Sequence, residues 1–244
     1  MPNYKIILQY KGTNYAGWQI QNNALTVQQV IADSIEKIVQ EQINLIGSGR
    51  TDSGVHALGQ VANFRSEKQL DMYKFLHSLN SVLPEDISVV RIENVAEKFH
   101  ARFDAVSRRY LYLFSTRKSP FYNDFSYNVN WIDDDFIIAA NQNSNQLIGE
   151  YDFTSFSKKN TDVKNNICEI KNIRWKKSGS LVYFTIEANR YLHGMVRAIL
   201  GTVIDSVRLN KPASYMMDVI AAKDRDAAGM AVPAKGLFLY KVKY

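Results

Sequence analysis

The order of hydrophobic patterns along this 244-residue chain repeats once, and that repeat narrows the possible folds more than any single motif. YKIILQY (4–10) mixes alternation with β-forming residues and reads as a strand that stops at the turn-rich stretch KGTNYAG. Thr26 and Gln29 have capping-box spacing, and Val27, Val30, Ile31, Ile35, Ile38 and Val39 recur at helical spacing, so a helix runs to about residue 41. INLIG (43–47) and QVANF (60–64) read as short strands, 70–79 as helical, and ISVVRI (87–92) as a strand. The second half has the same order. RRYLYLFS (108–115) is a strand, 133–146 a helix, and ICEIKNIRW (167–175) with SLVYFTIEA (180–188) a hairpin across KKSG. Leu192, Met195, Val196, Ile199, Leu200, Val203, Ile204 and Val207 mark an amphipathic helix, and GLFLYKVKY (236–244) closes as a strand.

Each half spells β-α-β-β-α-β, the ferredoxin-like order, although the two halves share no visible sequence similarity. The expectation is an α+β fold in which residues 1–105 and 106–244 form two such halves. They would build a continuous, mostly antiparallel sheet, with helices on one face and the other face open as a cleft.

A hydrophobic content of 46% is enough to build a full core without staples. The single cysteine, Cys168, can form no internal disulfide, and the four histidines are not spaced with it as a zinc site requires, so neither a disulfide scaffold nor a metal is expected. The opening MPNYKIILQYKG runs straight into a strand pattern and no apolar run approaches a membrane span, which points to a cytoplasmic protein with no membrane contact. Net charge is +6 with a pI of about 9.2. Residues 1–105 carry 10 Lys+Arg against 11 Asp+Glu, and residues 106–244 carry 20 against 13. The positive excess therefore lies in the second half, as either a solvated basic face or a surface for an anionic partner.

Two stretches fall outside the regular pattern. AEKFHARFDAVS (96–107) is a mixed connector, and GEYDFTSFSKKNTDVKNN (149–166) is a long polar segment with aromatics among lysines. In the second, Phe153 and Phe156 either face RNA bases or tuck into the core, while Lys158, Lys159 and Lys164 suit phosphates.

The stretch GSGRTDSGVHALGQVANF (48–65) lies between two expected strands, so it is a loop, and Gly47, Gly49 and Gly54 permit backbone shapes closed to other residues. An aspartate before Ser-Gly commonly shapes a turn. Asp52 and His56 have no further ligands nearby for a metal, and GSGRTDSG lacks the Gly-Lys-Ser/Thr ending of a phosphate loop, so no nucleotide cofactor is indicated. A third role is nucleophilic: Arg50, two positions before Asp52, can point the same way and favour its ionised form. Spacing alone does not decide between a turn residue and a nucleophile.

A wider match bears on that choice. GRTDSGVHA closely resembles the GRTDAGVHA signature of the TruA-type tRNA pseudouridine synthases. The resemblance continues in register through YKGTNYAGWQ (10–19), FHARFDAVSRRYLY (99–112), RYLHGMVR (190–197) and AKGLFLYKVKY (234–244), nearly the whole chain. It implies two ferredoxin-like halves around a deep basic cleft, with Asp52 as catalytic nucleophile and Arg50 beside it. It also implies that Tyr110 packs on the target base and that Arg197 pairs with the catalytic aspartate across the cleft. Without the resemblance, Tyr110 is a core aromatic and Arg197 a solvated helix flank.

By the same resemblance the chain is a homodimer that isomerises uridine at positions 38, 39 and 40 in the tRNA anticodon arm, with no cofactor. Two departures stand out: Ser53 replaces an alanine of the signature, and AAGMAVPAKGL (227–237) lacks the family's usual wording. The second lies away from the signature and bears on a C-terminal wall rather than on the reaction. Two other classes compete. A pair of RNA-recognition motifs would need a K/R-G-F/Y-G/A-F-V-x-F/Y run on a strand, which the chain lacks, and a nucleoside hydrolase would need a second acidic partner and water.

Overall fold

The computed structural model describes residues 1–159, 165–212 and 214–244. Its contacts group the chain into two units, Met1–Val106 with Phe238–Tyr244, and Ser107–Leu237.

In the first unit, strand β1 (Asn3–Tyr10) buries Tyr4, Ile6, Leu8 and Tyr10, every second residue, as a strand with one packed face must. Helix α1 (Val27–Val39) starts where Thr26 Oγ1 accepts from Gln29 N at 3.4 Å, but the Gln29 amide donates to Asp33 Oδ1 at 2.6 Å, so only half of the capping box forms. A two-residue β2 (Ile46–Gly47) and a long β3 (His56–Arg65) follow. Helix α2 (Met72–Val82) is capped by Asp71, and β4 (Ile87–Val95) completes the series. The strands lie in the order β4-β1-β3 with β2 on β3, all antiparallel, and Ile6 faces both Ala62 and Ile92. Phe64 ties the layers together, stacked on Tyr4 at 5.5 Å and 5.9 Å from Phe75 of α2. The connector over 96–107 is stapled to this sheet: Asn3 Nδ2 donates to the Phe99 carbonyl at 2.9 Å and Ala101 N donates to Asn63 Oδ1 at 2.8 Å.

The second unit begins with β5 (Ser107–Ser115) and a short parallel partner, β6 (Tyr127–Asn128). Helix α3 (Asp134–Asn145) is capped by Asp133 and followed by β7 (Gly149–Asp152), β8 (Ile167–Ser178), β9 (Leu181–Ala188), α4 (Met195–Arg208) and α5 (Tyr215–Ala222). The strand order is β5-β9-β8-β7, antiparallel throughout. Trp175 sits at the centre of this core, 4.9 Å from Phe184, 5.5 Å from Phe114 and 5.7 Å from Phe136, with its indole N–H donated to Ser144 Oγ at 2.9 Å. The class is α+β with mostly antiparallel pairing, ten strands and five α-helices among the described residues.

The last strand, β10 (Leu237–Lys243), pairs in parallel with β3, Phe238 opposite His56 and Leu239 opposite Ala57. The strand that ends the second element series therefore joins the sheet of the first unit.

The polar stretch over 149–166 is corrected in part. Its first four residues are β7, and both Phe153 and Phe156 are completely buried, 5.9 Å apart, so the core takes them and they do not face RNA. Lys158 is exposed, Lys159 pairs with Asp226 at 2.7 Å, and Lys164 lies outside the described residues. Among the described residues, no helix is long and apolar enough to cross a membrane.

Candidate active site

In the first unit, Asp52 stands half-buried on the loop between β2 and β3. The residues around it are fixed from three directions. Thr51, buried, shares a 2.8 Å hydroxyl bond with Tyr10 of β1, and its carbonyl accepts from Trp18 N at 3.0 Å. The Asp52 carbonyl accepts from Val55 N at 3.1 Å, closing a turn in which Gly54 adopts a φ of 76°. Upstream, Gln60 of β3 accepts from Ser48 Oγ at 2.7 Å and donates to the Gly49 carbonyl at 3.0 Å.

The stretch over 10–18 forms the wall behind this loop. Gly17 lies so close that a Cβ there would sit 2.5 Å from the Thr51 carbonyl oxygen. Tyr15 anchors the wall by donating to Asp86 Oδ1 at 2.6 Å, and burial, then that bond, push its phenol far above the usual tyrosine range, so it stays a neutral donor. Ser53, which replaces the signature's alanine, donates to the Tyr15 carbonyl at 3.2 Å and so adds one more tie between loop and wall.

Arg50 is exposed and directs its Nε to Gln19 Oε1 at 3.0 Å, which gives it a partner other than the carboxylate two positions on. His56, at the start of β3, is buried and stacked on Phe238 at 4.8 Å. Its Nδ1 accepts from Gly12 N at 3.1 Å, which leaves the ring proton on Nε2.

In the second unit, Tyr110 lies on β5, 9% exposed, edge-on to Tyr191 with ring centres 5.0 Å apart. Burial raises the Tyr191 phenol well above its ordinary value, and its hydroxyl donates to the Arg108 carbonyl at 3.3 Å. Flanking Tyr110 in sequence, Arg109 Nε donates to buried Glu187 at 2.9 Å, and Ser107 Oγ donates to the same carboxylate at 2.6 Å. This network holds the start of β5 against β9.

Arg197 occupies the first turn of α4, half-buried. Its Nε donates to the Val232 carbonyl at 2.7 Å, and Val232 N donates back to the Arg197 carbonyl at 3.2 Å. Tyr112 donates to the next carbonyl, Pro233, at 2.8 Å; burial raises its phenol while the charge of Arg197 opposes that rise. The segment over 227–237 is therefore not remote from the chemistry expected of this chain, as its place in the sequence implied: it touches the arginine directly.

The structure thus places Arg50 and Asp52 on one loop of the first unit, and Tyr110 and Arg197 in the second. Sequence reasoning missed the residues that hold them. Tyr10, Trp18 and Gly17 lie in YKGTNYAGWQ, a stretch quoted for its family likeness without a role, while Val232 has no local signal because its contribution is a backbone carbonyl. Among the described residues, no group of three or more His, Cys, Asp or Glu is placed to hold a metal ion. Burial pushes the Cys168 thiol up to about 11, which removes it as a nucleophile near neutral pH.

The first unit thus carries a carboxylate on a braced loop, and the second an oriented arginine and a packed tyrosine. A family model described as tRNA pseudouridine synthase matches residues 6–104 and 144–244. The chain belongs to that family and is an isomerase enzyme of its class.

Proteins named tRNA pseudouridine synthase A match end to end. That of Parabacteroides distasonis is 43% identical over 245 residues, spanning 100% of this chain and 96% of that protein. That of Bacteroides thetaiotaomicron is 42% identical, spanning 100% of this chain and 91% of that one, and that of Thermoanaerobacter sp. is 39% identical over the full length of both. Among solved structures, a chain of an H/ACA RNP bound to a substrate RNA containing 2′-deoxyuridine is 13% identical with a TM-score of 0.35, and covers 72% of this chain and 38% of that one. A likeness that low carries no weight for fold or chemistry.

Proposed function

We propose that this chain converts uridine to pseudouridine at positions 38, 39 and 40 of the anticodon arm of tRNA, with Asp52 as nucleophile and no cofactor. The observation that carries this is the Asp52 loop itself: GRTDSGVHA matches the signature at every position but Ser53, and its backbone is tied on both sides of the carboxylate. The reaction explains the residue types. The bond from N1 to C1′ breaks, the freed base turns and rejoins C1′ through C5, and C5 gives up its proton while N1 takes one up, so substrate and product have the same mass.

A fixed carboxylate can attack the nucleotide, as in retaining glycosidases, and preorganisation spares the cost of orienting it. Tyr110 holds the extruded base, and Arg197 supplies positive charge for the carboxylate. Arg50, on the same loop, has its exposed guanidinium available to phosphate. The Lys and Arg excess of residues 106–244 supports a polyanionic partner. Family likeness supports a cytoplasmic homodimer.

The test is to incubate the purified protein with unmodified tRNA, without metal or nucleotide, and to map pseudouridine. New pseudouridine in the anticodon arm is expected, and its absence there sinks the proposal. Asp52→Ala should lose roughly a thousandfold or more of turnover while binding tRNA within a few-fold of the parent. A comparable loss of binding would make Asp52 structural.

A further inference from the structure

We propose that the segment over 229–233 sets the side chain of Arg197, and that Gly201 is a positioning residue which admits that segment to α4; this rests on the role given to Arg197 above. Val232 grips the arginine twice, through its N–H to the Arg197 carbonyl at 3.2 Å and its carbonyl to Nε at 2.7 Å. An arginine on a long stem has many rotamers, and a bond at Nε fixes both the stem and the plane of the guanidinium. The acceptor is a neutral carbonyl, so this partner orients the group without cancelling its charge. A carboxylate in the same place would do both.

The close approach depends on residues without side chains. One turn beyond Arg197, buried Gly201 faces the segment so closely that a Cβ would sit 1.7 Å from the Met230 carbonyl oxygen. At Gly229 a Cβ would sit 2.4 Å from Asp205 Oδ2 and 3.0 Å from main-chain atoms of Gly201 and Thr202. Gly229 N donates to buried Thr202 Oγ1 at 2.8 Å, and beyond Val232 the Pro233 carbonyl accepts from Tyr112 at 2.8 Å. The segment is thus pinned at Thr202 and Tyr112, with the grip on Arg197 between the two pins.

Pseudouridine formation by the full chain tests this in five variants: Gly201→Ala, Thr202→Val, Arg197→Ala, and each of the first two combined with Arg197→Ala. Gly201→Ala should lower kcat by about tenfold to a hundredfold, with KM for tRNA within about twofold, because it misplaces a group that acts in the reaction rather than in binding. Gly201→Ala with Arg197→Ala should be no slower than Arg197→Ala alone, since the second change has nothing left to misplace.

Multiplying losses in that double variant, or a Gly201→Ala kcat within twofold of the parent beside a slow Arg197→Ala, would overturn the proposal alone. Undiminished turnover in Arg197→Ala would overturn the role of Arg197 and the proposal with it. If Gly201→Ala does not fold, Thr202→Val removes the acceptor for Gly229 N without adding bulk. It should lower kcat about fivefold, and by nothing further when Arg197 is already alanine. An unchanged kcat there overturns the proposal equally.

Discussion

Thr51 lies between an exposed arginine and a half-buried aspartate and is itself buried, so its neighbours take their directions from it. Its hydroxyl bond to Tyr10 joins the loop to β1, an interior strand of the first unit. Thr51→Val keeps the shape and deletes that bond. It should cost about 1–2 kcal/mol of stability, read as a lowered Tm, together with a loss of turnover larger than the loss of tRNA binding. An unchanged Tm would mean that the loop is held by its backbone bonds alone. At this scale Asp52 was legible as a candidate because it belongs to a contiguous motif. Tyr10, Trp18 and Val232 were not, because a supporting contact is made across the fold and leaves no spacing to read.

Elements were legible in proportion to their length. The 13-residue α1 shows its period plainly, while β7 has four residues and α5 eight, too few for a period to separate from chance. Phe153 and Phe156, three apart among lysines, suit either a binding loop or a core turn, and only the sheet behind them decides. The same short region carries an acid-sensitive tie. Asp152 Oδ1 accepts from the Thr154 hydroxyl at 2.5 Å and from Thr154 N at 3.1 Å, and its other oxygen pairs with Lys223 at 3.0 Å.

These bonds, led by the Thr154 hydroxyl, hold the Asp152 carboxyl below its ordinary range. A depressed folded-state value means stabilisation that is present above the unfolded value and lost as pH falls through the folded one. Asp152→Asn should therefore lower Tm at about pH 7 and leave it unchanged near about pH 2. Equal losses at both pH values would trace the effect to shape rather than charge.

For the molecule as a whole, the order of elements was readable but the partner of the last strand was not. GLFLYKVKY alternates in the same way whichever sheet receives it, and parallel pairing with a strand far back in sequence leaves no local mark. In the structure its residues serve the first unit: Phe238 stacks on His56, the Lys243 carbonyl accepts from Val106 N at 2.8 Å, and Tyr244 donates to the Ala101 carbonyl at 2.8 Å. Deleting Phe238–Tyr244 should remove hydrogen-exchange protection from β1 and β3 while β8 and β9 keep theirs. Retained protection in β3 would show that the first unit stands without β10.

The pairing of β10 also sets the schedule on which the chain can fold. A ribosome makes all of Ser107–Leu237 before it makes the strand that Met1–Val106 lacks, so the unit synthesised first is the one completed last. Nascent chains halted anywhere in between carry the Asp52 loop next to a β3 that still lacks its parallel partner, with Phe238 not yet made to stack on His56.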